Sequence, residues 1–162
     1  MSHARLFNAL TCAVFALPIN AAAQQSITLT APQNTFRANP TAQAEVSKKG
    51  PFLEVHLARH AVWAPNNYKD ASQIVSYSVA LATRNEQGQW NTVRESAEIE
   101  TNFKLLPGQT KQLKAETLLI PIDGIKKLDE HWIVLKLKQR SQDSADGYGY
   151  TFAHSEKLKP TQ

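Results

Sequence analysis

From Phe52 to Phe152 apolar side chains return at every second position, run after run, with turn residues between the runs. Neighbouring side chains on an extended strand point to opposite faces, so this period belongs to strands half-buried on a sheet. Leu53, Val55, Leu57, Ala61 and Trp63 fall on one alternating face, with Arg59 the one charged member of that set. Ile74 to Thr83 places Val75, Tyr77, Val79 and Leu81 on one face and Ser76, Ser78 and Ala80 on the other. Asn85-Glu86-Gln87-Gly88 is a turn before Trp90–Val93, which reads as a hairpin. Ala97, Ile99, Thr101, Phe103 and Leu105 alternate with polar residues, and Leu113 to Ile122 is a further strand. In Trp132–Gln139, Ile133, Leu135 and Leu137 face one way and Trp132, Val134, Lys136 and Lys138 the other. Tyr148, Tyr150 and Phe152 alternate in a last strand. With Ser26–Thr30 as a first strand, seven or eight short strands are expected. They predict an all-β, antiparallel immunoglobulin-like β-sandwich, with a small β-barrel as the alternative.

The N-terminus follows another rule. Met1–Arg5 is short and positive, Leu6–Leu17 is almost wholly apolar, and Ala21-Ala22-Ala23 supplies small residues for a peptidase. This reads as a cleavable signal peptide over residues 1–23, cut before Gln24. The apolar run is shorter than the ~20 residues a membrane helix needs, so no span is expected. Thr11 before Cys12 does not suit a lipoprotein signal. Residues 24–50 read as an N-terminal strand and a loose lead-in, and 51–162 as the body of a single mature domain of 139 residues in all.

Leu105-Leu106-Pro107-Gly108-Gln109-Thr110 resembles the L-x-P-G-Q-T/S turn of bacterial extracellular immunoglobulin-like modules. The resemblance covers the turn and its flanking strands. It implies the fold and carries no functional residue.

Losing the leader removes Cys12, the sole cysteine, and Arg5, leaving 17 Lys and Arg against 14 Asp and Glu. A cysteine-free exported domain with an alanine-rich cleavage site points to a Gram-negative periplasm rather than a disulfide-building route. The small positive excess does not call for nucleic acid. No Gly-x-Ser-x-Gly and no phosphate-cradling glycine loop is present, and nothing in the sequence asks for a cofactor.

The remaining candidates are surface chemistry. Lys136, Lys138 and Arg140 share one face of the most apolar strand, a stripe suited to an acidic protein, glycan or lipid phosphate. A solvated sheet face, or an edge guarded by lysines, explains the same stripe. Trp90, Tyr148 and Tyr150 are the aromatics expected near the surface, where such rings anchor partners. His56 and His60 would share a helix face, but on a strand they sit about 13 Å apart, too far for one metal ion. A metal site using them would need His131 or His154 brought in by the fold. Asp143 and Asp146 with Gly147 do not match a calcium loop and read as a hairpin loop, and Asp123, Asp129 and Glu130 are carboxylates without motif context. Arg59 reads as a bulge or strand-end residue whose head group reaches water, the alternative being a buried guanidinium that pairs with a carboxylate or anchors an anionic ligand. The expectation is a non-catalytic periplasmic module that engages an envelope protein partner through Trp90, Lys136, Lys138, Arg140, Tyr148 and Tyr150. The alternatives are a glycan- or anionic-lipid-binding module, and a metal-binding protein or metal-dependent enzyme using His56 and His60.

Overall fold

The computed structural model describes residues 23–32 and 38–160; residues 1–22 of the expected leader, Cys12 among them, lie outside these. Eleven strands follow in order: β1 (Gln25–Thr30), β2 (Asn39–Lys49), β3 (Phe52–Leu57), β4 (His60–Trp63), β5 (Ser72–Arg84), β6 (Trp90–Glu95), β7 (Ile99–Leu105), β8 (Thr110–Leu113), β9 (Glu116–Pro121), β10 (Trp132–Arg140) and β11 (Tyr148–Lys157). A 3-10 turn, Leu128–Glu130, precedes β10. Among the described residues no helix is long and apolar enough to cross a membrane.

The strands pair in the order β6-β5-β10-β11-β1-β2-β3-β9, with β7 also on β5, β4 also on β2, and β8 on β4. Every pairing is antiparallel. β9 comes close to β5 and β6 without pairing, so the sheet nearly closes and is barrel-like. The small-barrel alternative fits this arrangement; the immunoglobulin sandwich is not confirmed by it. One continuous core fills the interior, with Leu29, Val55, Leu57 and Val62 from one half of the sheet and Ile74, Val79, Leu81, Ile133, Leu135 and Leu137 from the other. Each such side chain contributes about 1.5–3 kcal/mol by leaving water.

The strand count exceeds the expected seven or eight for three reasons. The supposed lead-in holds β2, an eleven-residue strand paired on both sides. Its inward residues Ala42, Ala44 and Val46 are mostly alanines, too small to make the alternation stand out. The Leu113–Ile122 run breaks at Lys114-Ala115, so β8 pairs with β4 and β9 with β3.

The third reason is a β-bulge. β2 advances three residues from Thr41 to Ala44 while its partner advances four, from Leu57 to Ala61. The extra residue at Ala58-Arg59 flips the alternation. Leu53, Val55 and Leu57 point inward before it, and His60 and Val62 after it. Arg59, which falls in the apolar register, sits at this bulge and is exposed, in keeping with its sequence reading. The turn at Pro107-Gly108 is docked against the end of β4: Gly108 donates to the Ala64 carbonyl (2.9 Å) and Ala64 to that of Gln109 (2.9 Å). Gly108 sits at φ +77°, where a side chain would strain the backbone.

Candidate functional site

Five of the six residues expected to meet a partner come together on the outer face of β10 and β11. Lys136 lies opposite Phe152, Lys138 opposite Tyr150 and Arg140 opposite Tyr148, and on the other side Ser78 and Ser76 lie opposite Lys136 and Lys138. Lys138 and Arg140 place their cations 4.7 and 4.6 Å from the Tyr148 ring, and Lys136 lies 5.4 Å from that of Tyr150. Tyr150 is the exposed aromatic of this group.

Two carboxylates missed by sequence reasoning complete the face. Glu95 at the end of β6 accepts from Lys136 Nζ (2.7 Å) and from the Ser78 hydroxyl. Glu98, in the link to β7, accepts from the Ser76 hydroxyl (2.7 Å) and from Lys138 Nζ (3.3 Å). Two successive Ser–Glu–Lys rungs result. The Ser76 hydroxyl, then Lys138, holds the Glu98 carboxyl below its ordinary pKa, and Glu98 in turn raises that of Lys138. The lysine stripe is therefore internally neutralised, and Arg140 is its exposed cation. The stripe is also no guarded edge, because β10 is paired on both sides. The pattern was faintly legible: Ser76 and Ser78, like Lys136 and Lys138, are two apart on neighbouring strands. The spacing of Glu95 and Glu98 follows no strand period, because the chain leaves β6 between them.

Trp90 sits at the far end of the same face. It stacks on Trp132 (centroids 5.7 Å, edge-on at 74°) and on His154 (4.9 Å), with Arg84 over its own ring and Lys157 over that of Trp132. Trp132 lies directly opposite Ala82, and Val134 lies between Ala80 and His154. Ala80, Ala82 and Val134 are buried on this outer face, outside the main core. The aromatic group forms a second, external apolar cluster.

His56 and His60 do not meet. The bulge leaves His56 exposed, hydrogen-bonded to the Thr117 hydroxyl (2.8 Å), and turns His60 inward. His60 Nδ1 donates to the Ala58 carbonyl (3.2 Å), so in the neutral ring Nε2 carries no proton; it is buried and has no hydrogen-bond partner among the described residues. Burial lowers its pKa. Its ring lies edge-on to Tyr77 (5.0 Å), whose pKa burial and Glu116 push up to about 12. His131 binds the Lys127 carbonyl and His154 the Ser155 carbonyl, each through Nδ1. Among the described residues no group of three or more His, Cys, Asp or Glu is placed to hold a metal ion. Asp146 accepts from the Tyr148 N–H (3.0 Å) and so shapes the turn into β11, while Asp143 lines a polar cleft with Asp70 and Arg140. Glu130 pairs with Lys127 (2.9 Å). No family model, curated protein or solved structure matches this chain.

Proposed function

We propose that this chain is an exported, non-catalytic binding module of the Gram-negative envelope, and that its partner surface is the outer face of β5, β10 and β11. The observation that carries the reading is the convergence of Arg140, Tyr148 and Tyr150 beside the Ser–Glu–Lys rungs. Rigid aromatic rings flanked by cations, on strands fixed from both sides, are the pre-organised anchors protein interfaces favour. Neutralised lysines favour a protein partner over an anionic lipid surface, which rewards uncompensated charge. We read the two facing halves as the layers of an immunoglobulin-like sandwich, on the strength of the Leu105–Thr110 turn and the single residue pair that joins β1 to β11. Glycan binding is the second reading, favoured by the exposed Tyr150 ring.

The test is a pull-down from the envelope fraction with the native chain and with Arg140→Glu, Tyr148→Ala and Tyr150→Ala combined. These positions avoid the ion pairs that hold the face together. A partner recovered by the native chain and lost from the variant is expected. Equal recovery by both overturns the surface assignment. N-terminal sequencing of the protein from cells is expected to begin at Gln24; an intact leader overturns export by cleavage.

A further inference from the structure

The seam between β1 and β11 differs from every other in the sheet. β1 pairs with β2 over six residues, yet with β11 only at Thr30 and His154. That register, continued, sets Thr28 opposite Glu156 and Gln25 opposite Lys159. The strands keep this alignment but part, leaving a cleft of about 640 Å³ lined by Gln25, Ile27, Thr28, Ser155, Lys157 and Lys159 among others. This lies within the roughly 300–1,000 Å³ typical of ligand clefts. The parting has a local cause. β11 advances three residues, His154 to Lys157, while β10 advances two, Val134 to Trp132. The extra residue is a bulge, marked by the Ser155 hydroxyl taking the Ile133 N–H (3.1 Å), and a bulge bends its strand.

A strand directs alternate N–H and C=O groups to its two sides. β1 bonded to β2, and β11 bonded to β10, therefore turn their remaining main-chain groups toward the cleft. At the far end Gln25 shows what this edge takes. Its side-chain amide donates to the Lys159 carbonyl (3.0 Å) and accepts from the Lys159 N–H (2.8 Å). These are the two bonds an antiparallel main-chain partner would make to Lys159.

We infer that the β1–β11 cleft is a second binding site, one that takes an extended peptide segment through its main chain, with the Gln25 side-chain amide supplying the donor and acceptor of that segment's last residue. An incoming strand runs antiparallel to one wall and parallel to the other, a geometry sheets accept. Such recognition is tolerant of side chains and sensitive to loss of the peptide N–H. The site is independent of the outer-face reading.

The experiment is residue-resolved amide exchange on the mature chain, alone and with millimolar blocked peptide KTVTVTE. A control peptide carries N-methyl groups at alternate residues. In the free protein the amides of residues 26–29 and 156–157 that point away from β2 and β10 are expected to exchange at least about tenfold faster than those of β10. The plain peptide is expected to slow them about tenfold, and the N-methylated peptide to leave them unchanged. Gln25→Ala is expected to speed exchange at Lys159 while leaving β10 protected. Protection of the cleft amides already equal to that of β10, no slowing by the plain peptide, or equal slowing by both peptides overturns the proposal.

Discussion

The two halves of the sheet treat their outer faces differently. In the β2–β3–β9 half the alternation is clean: Leu53, Val55, Leu57, Leu118 and Ile120 are buried, while Phe52, His56 and Leu119 stand in solvent. In the β5–β10–β11 half it fails. Seven consecutive residues of β5, Ser76 to Ala82, are buried, as are Ile133, Val134 and Leu135 in succession on β10. The cause is the outer layer of aromatic rings and ion-paired side chains, which covers the short residues Ser76, Ser78, Ala80 and Ala82. The inner face of this half is buried against the facing half of the sheet, and its outer face by side chains of its own neighbouring strands, with no helix among the described residues laid on it. The difference teaches that the outer face of this half is part of the stability of the protein as well as the surface proposed for partners.

The comparison breaks or sharpens by mutation. The largest effect is expected at Trp132→Ala, which removes a ring stacked on Trp90 and lying opposite Ala82. A loss of about 2–4 kcal/mol in urea unfolding is expected, near the lower part of the range for buried aromatic truncation. A loss below about 0.5 kcal/mol would show that the external cluster is decoration. Glu95→Ala is expected to cost about 1–2 kcal/mol, because it strands the Lys136 ammonium, whose side chain is 17% exposed, and the Ser78 hydroxyl. Pairing Glu95→Ala with Lys136→Met in a double-mutant cycle measures how much of that loss belongs to the pair.

A subtler effect is expected from pH. His60 binds its proton more weakly in the folded state than its ordinary value of 6.5. The unfolded chain therefore takes up the proton first as pH falls. Stability is full above about 6.5 and declines as pH drops from there toward the folded value. The denaturation midpoint is expected to fall between pH 7.5 and 5, and His60→Leu to flatten that decline; an unchanged slope would remove His60 as its source. Glu98 acts at lower pH in the same direction. Its carboxylate is favoured by folding, so its contribution is lost as pH falls below its ordinary 4.5. The smallest effect is expected on the plain half: Leu119→Ala, at 45% exposure, is expected to change stability by less than about 0.5 kcal/mol. A larger loss there would mean that this outer face too is covered, and the contrast between the halves would disappear.

The candidate site was half legible. Lys136, Lys138 and Arg140 share a face because a strand repeats every two residues, and Tyr148 and Tyr150 do so for the same reason. That those two strands would be neighbours was carried by the short polar loop Asp143–Gly147 between them, which reads as a hairpin, and not by their own spacing. Glu95 and Glu98 joined them through β6 and its exit, where a register shift opposite Leu81 and Ala82 and the departure toward β7 break any period. The pairing of His56 and His60 failed on a single extra residue at Ala58-Arg59.

The sequence by itself determined that this chain forms strands, where most of them turn, and which side chains of β10 and β11 share a face. These are properties of nearest neighbours along an extended backbone. Only the tertiary structure decided that the sheet curls almost to closure, that the lysine stripe carries its own carboxylates, and that β1 parts from β11. Each depends on which strands become neighbours and on single-residue bulges that offset them, and a bulge in one strand is defined only by the partner it fails to match.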